Sequence, residues 1–182
     1  MPDDFRTLID AQTLGNRVSE IAQQIRDRYQ TPPLLVAIAQ GARVFASRLS
    51  EHLGDWAQIR EIGARSYGDG TESSGEVEVY DDADLDPRGR EVLLLEDIVD
   101  TGRTVARVRE HLLGRGAVSV DVATVLSKPT RRVVPVDLRF TGFEIPDVFV
   151  VGFGMDLAGR YRDLDRVAVA HPERGRASSI TQ

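Results

Sequence analysis

The chain has 182 residues, 41% apolar and 29% charged, with a net charge of −6 and no cysteine. That length holds one domain with a full apolar core, and the acidic balance argues against broad nucleic-acid binding. No apolar run approaches the roughly 20 residues of a membrane span, and without thiols the chain suits a reducing cytoplasm.

The N-terminal stretch Met1–Phe5 lacks the basic and apolar regions of a secretory signal. Leu14, Val18, Ile21, Ala22, Ile25 and Tyr29 fall on one stripe, which predicts a helix over Ala11–Tyr29 capped by Asp10. Thr31-Pro32-Pro33 breaks it, and Leu34–Ile38 reads as a short buried strand. A helix over Gly41–Leu53 and a strand over Gln58–Ala64 follow. Gly68–Gly75 is polar and glycine-rich, hence a mobile loop, and Glu76–Tyr80 returns as a strand. Val92–Leu95 shows no alternation, the habit of a strand buried on both faces of a parallel sheet, and Glu96 and Asp97 are read as its end. Val105, Val108, Leu112 and Leu113 then repeat at helical spacing. Further strands are expected at Val118–Leu126, Leu138–Phe143, Val148–Val151 and Val167–Val169, with a frayed tail at Ala177–Gln182. No repeat or linker interrupts the alternation of α and β elements. The pattern predicts a single α/β domain over residues 1–176 and a flexible tail over 177–182.

Chemistry concentrates in the turn after the unalternating strand. Glu96 and Asp97 can accept hydrogen bonds from a vicinal diol or approach a metal ion, but both would repel a phosphate. Asp100, Thr101, Gly102, Arg103 and Thr104 lead into the helix. Small residues and free helix-start amides there suit a phosphate. The turn therefore reads as a cradle for a phosphorylated sugar, at the carboxyl ends of the strands where open α/β sheets bind ligands.

A second constellation follows. The chain carries 22 arginines and one lysine, Lys128, which stands one residue past a strand and before Pro129. A position that keeps lysine under that bias suits a compact ammonium rather than a planar fork. Together with Phe149 and the extended backbone at Val150, Lys128 could hold a flat heterocycle: the ammonium on an exocyclic oxygen, the ring stacked, the main chain reading an edge. Gly152-Phe153-Gly154 is not a dinucleotide fingerprint, since Leu157 stands where the third glycine belongs. His52, His111 and His171 have no ligand spacing.

The run Val92–Thr104 closely resembles the thirteen-residue phosphoribosyl-pyrophosphate signature of the type I phosphoribosyltransferases. From about residue 10 to residue 170 the chain resembles the hypoxanthine-guanine branch of that family. The matches are Ser66-Tyr67, Lys128-Pro129-Thr130-Arg131-Arg132, Gly142 to Asp156, and Tyr161-Arg162-Asp163-Leu164.

The resemblance implies a mostly parallel twisted sheet flanked by helices, with a small C-terminal hood. It implies reversible transfer of 5-phosphoribosyl from its pyrophosphate donor to hypoxanthine or guanine, giving IMP or GMP and pyrophosphate, with Mg2+ on the donor. By matching position, Asp100 would be the general base at purine N7, and Asp100–Thr104 would wrap the 5′-phosphate. Glu96 and Asp97 would engage the ribose diol and the magnesium environment, with Asp156 near the second magnesium. Lys128 would bond the purine 6-oxygen, Phe149 would stack, and Val150 would read the ring edge beside Asp156. Gln40 and Gly41 would form the pyrophosphate loop, Arg162 would lie near pyrophosphate, and Ser66 and Tyr67 would close as a lid. Relatives form homodimers or homotetramers.

Two positions depart from the family pattern. Ala39-Gln40-Gly41 replaces the usual Leu-Lys/Arg-Gly, so main-chain amides, helped by Arg43, would have to hold the pyrophosphate. It also leaves open whether the unusual peptide geometry that the family often places there is kept. Phe153 stands where tyrosine is common. A xanthine-preferring transferase shares the 6-oxygen that Lys128 would read. Adenine would set donor against donor. An RNA-binding regulator on the same fold fits poorly with the acidic charge and with Asp100.

Overall fold

The computed structural model describes residues 5–66, 77–81 and 84–170. The expected loop Gly68–Gly75 and the tail Ala177–Gln182 lie outside them, as does Tyr67. Helix α1 (Ala11–Arg28) begins where predicted, with the Asp10 carboxylate accepting from the Thr13 N–H at 2.9 Å. Its stripe of Leu14, Val18, Ile21, Ala22 and Ile25 is buried.

Six strands form the main sheet: β2 (Leu34–Ala39), β3 (Ile59–Ser66), β4 (Val77–Asp81), β5 (Glu91–Val99), β6 (Ser119–Ser127) and β7 (Phe140–Glu144). Their order is β4-β3-β2-β5-β6-β7, parallel throughout except the antiparallel β3–β4 pair at one edge. Leu34, Leu35 and Val36 on β2 and Val92, Leu93 and Leu94 on β5 are almost fully enclosed, as strands covered on both faces must be. One face packs on α1 and α2 (Arg43–Leu53), through Leu14, Ile25, Phe45 and Leu49. The other packs on α3 (Arg103–Gly114), through Val105, Val108 and Leu112.

Strand order reverses at β2 and β5. From β2 the chain crosses through α2 to β3 on one side; from β5 it crosses through α3 to β6 on the other. The connections leaving the carboxyl ends of β2 and β5 therefore run to opposite faces of the sheet and leave a crevice between them, the usual ligand position of such sheets.

The structure corrects three sequence-based boundaries. The helix expected from Gly41 starts at Arg43, leaving Gly41 and Ala42 in the turn. Glu96 and Asp97 do not end their strand, because β5 continues to Val99 and pairs with β6 through Ile98–Leu126 and Val99–Ser127. The hood is not only C-terminal: β8 (Val150–Val151) and β9 (Val167–Val169) are joined by β1 (Arg6–Ile9), in the order β1-β9-β8. Arg6-Thr7-Leu8-Ile9 is too short and too polar at its start to declare itself a strand, and it forms by pairing with β9.

Candidate active site

Between Glu96 and Ile98 the β5–β6 ladder skips Asp97, and the Ile98 N–H donates instead to the Asp97 carboxylate at 2.7 Å. Side-chain parity flips there: Leu93, Leu95 and Ile98 share one core cluster, while Leu94 and Val99 share the other. The two carboxylates stay hydrogen-bonded to each other, yet each also meets its own set of neighbours. Glu96 lines a cavity of about 80 Å³ with Asp100, Thr101, Gly102 and Thr104. Asp97 is buried against the turn after β2, so close that a Cβ at Gly41 would run into its carboxylate.

Neither acid is comfortable as a charge. Burial, then the neighbouring Asp97 charge, holds Glu96 well above its usual 4.5. Its Oε2 is enclosed without a hydrogen-bond partner. Burial also raises Asp97, against the pull first of its hydrogen bond with Glu96, then of nearby backbone N–H groups and of Arg162.

The Asp100–Thr104 turn, expected from the sequence to cradle a phosphate, leads from β5 into α3. Gly102, at φ 83°, turns the chain into α3 and has no side chain to cap it; the Arg103 N–H donates to Thr101 Oγ1 at a long 3.4 Å. The Thr101 carbonyl accepts from the Val133 and Val134 N–H groups, anchoring the turn to the segment after β6.

On the far side of the crevice the peptide bond Ala39–Gln40 is cis, so the unusual geometry is kept although Gln40 carries no charge. Gly41 also touches the hood, where a Cβ at Gly154 would meet its carbonyl. Arg162 donates to the Gly154 carbonyl (2.8 Å) and pairs with Asp156 (2.7 Å), which also accepts from the Gly159 N–H (2.6 Å). Gln40, Gly41, Asp97, Asp156 and Arg162 are thus gathered around one corner. Arg43 is not: it forms a bidentate pair with Glu61, which also raises its pKa, and so is held away from the loop it was expected to help. Phe153 is buried in the core beside this corner.

The third wall carries Lys128, almost fully buried, at the start of a 3-10 turn (Pro129–Arg131) that follows β6. Its N–H donates to the Val99 carbonyl (3.0 Å), bringing the turn beside Asp100. Phe149 is 41% exposed, a large ring with an open face. Val150 lies opposite Val169, and the Ala170 N–H donates to the Phe149 carbonyl. Bonded pairs alternate along an antiparallel ladder, so the N–H and C=O of Val150 point to the free edge of β8. Ser66 ends β3.

Residues 6–158 match the phosphoribosyl transferase domain family. The chain is 37% identical over 171 residues to the hypoxanthine-guanine phosphoribosyltransferase of Bacillus subtilis, covering 93% of this chain and 95% of that one. This chain belongs to the hypoxanthine-guanine phosphoribosyltransferase family. It is 38% identical over 167 residues to the hypoxanthine phosphoribosyltransferase of Escherichia coli, covering 90% of this chain and 94% of the other. A crystal structure of a hypoxanthine phosphoribosyltransferase from Staphylococcus aureus superposes with a TM-score of 0.86 at 34% identity, over 94% of each chain.

In this phosphoribosyltransferase the Glu96 environment has a thermodynamic signature. The folded state holds a proton on Glu96 that the unfolded chain releases above about pH 4.5. The associated stability is present at low pH and is lost as pH rises. Glu96→Gln is therefore expected to raise the melting temperature of the ligand-free protein at pH 8 and to flatten its fall between pH 5 and 8. A variant that melts lower than the parent at pH 8 would contradict this.

Proposed function

We propose that this chain transfers 5-phosphoribosyl from phosphoribosyl pyrophosphate to hypoxanthine or guanine in purine salvage, with Asp100 as the general base. The observation that carries the site assignment is the convergence of three walls on one crevice: the Gln40–Gly41 turn, the Glu96–Thr104 cradle, and Lys128 with Phe149 and Val150. Each wall suits one part of a nucleotide being assembled.

Donor binding falls to the first two walls. Amides of Thr101–Thr104 and their hydroxyls hold the 5′-phosphate, and the ribose diol donates to Glu96 and Asp97. Pyrophosphate lies along Gly41 toward Arg162. Among the described residues no three acidic or histidine side chains gather into a metal cage, which suits a Mg2+ ion arriving with donor oxygens already bound. Glu96, with its unpartnered buried oxygen, Asp97 and Asp156 are the side chains that would face it. Bound with the donor, it would supply charge neutralisation for the leaving pyrophosphate.

The purine falls to the third wall. Lys128 donates to the 6-oxygen, the Val150 N–H and C=O read the adjoining edge, and Phe149 covers one face. Asp100 takes the N7 proton as N9 bonds to C1 of the ribose, and pyrophosphate leaves from the opposite face. Ser66 and Tyr67 close over the site. The cysteine-free chain works in the cytoplasm on small molecules, as a homodimer or homotetramer, with no membrane or nucleic-acid partner. No helix among the described residues is long and apolar enough to cross a membrane.

An absorbance assay with the donor and Mg2+, offering hypoxanthine, guanine, xanthine and adenine separately, tests the reading. Turnover of hypoxanthine or guanine is expected and adenine should be inert; turnover of adenine would overturn the role of Lys128. The uncharged Gln40 carries its own expectation. Gln40→Lys should tighten pyrophosphate binding by adding a cation that neither Arg43 nor the loop now supplies. An unchanged pyrophosphate titration would mean the main chain already suffices.

A further inference from the structure

Arg131 and Asp147 take no part in the steps above, yet they close a chain of charges behind the purine wall. Arg131 Nε donates to Asp100 Oδ1 at 2.7 Å, and its Nη1 reaches Asp147 Oδ2 at 3.5 Å. The other oxygen of Asp147 lies 3.8 Å from Lys128 Nζ. The order is Lys128, Asp147, Arg131, Asp100. Its two ends are the groups assigned to the 6-oxygen and to N7, which are neighbours on a 6-oxopurine.

We infer that Arg131, braced by Asp147, is a positioning residue that fixes the Asp100 carboxylate at the spacing from Lys128 that a 6-oxopurine requires. This rests on Asp100 being the base. Three features support it beyond the contacts. Lys128 and Arg131 sit on the same 3-10 turn, and the Arg131 N–H donates to the Lys128 carbonyl at 3.1 Å. A displacement of one is thereby passed to the other. Next in the chain, Arg132 donates to the Val99 carbonyl (3.2 Å) and to Ser127 Oγ (2.9 Å). The peptide before Asp100 is thus held by Arg132 and its carboxylate by Arg131. Finally, Arg131 grips only Oδ1, and Oδ2 has no protein partner among the described residues. One oxygen is held while the other stays available for the purine proton. A guanidinium suits this task because its rigid planar fork fixes the directions in which it meets two carboxylates, whereas the donors of an ammonium rotate.

Arg131 is half exposed, so its removal is not expected to unfold the chain. Arg131→Met keeps the length of the stem and removes the fork. It is expected to lower kcat with hypoxanthine about 10- to 100-fold, the scale of a misaligned reacting group, with the KM for phosphoribosyl pyrophosphate unchanged. Arg131→Lys should recover only part of that loss, and Asp147→Asn should show a smaller fall of the same kind. Once Arg131 is gone, Asp147→Asn should add little, because the two act in series.

Asp100→Asn, assayed alongside, separates the two layers of the argument. If Asp100→Asn is nearly inactive while Arg131→Met keeps parental kcat, the positioning role is overturned and the base assignment stands. A loss in Arg131→Met expressed only as a raised donor KM also overturns it, since that describes phosphate binding. Parental turnover in Asp100→Asn would remove both.

Discussion

Replacing Asp100 by asparagine should lower turnover about 10²- to 10⁴-fold, the usual contribution of a positioned base. Asparagine keeps the size of the side chain and can still accept from Arg131 through its carbonyl oxygen, but it cannot take the N7 proton. Donor binding should survive, because the 5′-phosphate is held by the Thr101–Thr104 amides and hydroxyls rather than by this carboxylate. The loss should fall on kcat and leave the dissociation constant of phosphoribosyl pyrophosphate within a few-fold of the parent, as for an interaction made only in the transition state. Single-turnover kinetics with equilibrium donor binding would check both. Parental turnover, or a loss seen only in donor binding, would take Asp100 out of the base role.

The second large effect is expected at Gly41. The Asp97 carboxylate occupies the space that any Cβ there would need. Gly41→Ala must therefore push Asp97 out of its buried seat or displace the pyrophosphate turn. Either movement shifts the donor by a fraction of its own width, and misplacement of about 1 Å can remove a factor of 10². A fall of about that size in kcat/KM for the donor is expected. Gly15→Ala is the matched control, since a Cβ at that position on α1 meets nothing within 4 Å. It should leave activity unchanged and stabilise the helix by about 0.5–1 kcal/mol. If both variants kept parental kinetics, the close packing of Asp97 on Gly41 would have no bearing on donor binding.

The sequence was most legible where local patterning and tertiary burial agree. The α1 stripe, its Asp10 cap and the unalternating strand before Glu96 were all readable, because each is a property of adjacent residues. The components of the crevice were readable too, down to Lys128 as the one lysine in an arginine-rich chain. Pairing was not. Strand β1 exists through its partner β9, and the extension of β5 past two carboxylates depends on β6 offering Leu126 and Ser127 as neighbours. The break in the ladder at Asp97, where the Ile98 N–H turns from β6 to the Asp97 carboxylate, leaves no trace in residue order. Arg43 shows the converse: a cation beside the pyrophosphate turn looked available until Glu61, across on β3, claimed it. Arg131 and Asp147 stood inside quoted motifs, but only the fold brings them together.

Reversibility gives the most direct test of the central claim, that these three walls assemble and dismantle a purine nucleotide. The protein should be incubated with IMP, Mg2+ and pyrophosphate, and hypoxanthine release followed against the same mixture without pyrophosphate. The account predicts release that requires pyrophosphate, yields phosphoribosyl pyrophosphate in equal amount, and falls about 10²- to 10⁴-fold in Asp100→Asn. Release independent of pyrophosphate, or none from the parent protein under conditions where IMP binds, would contradict it.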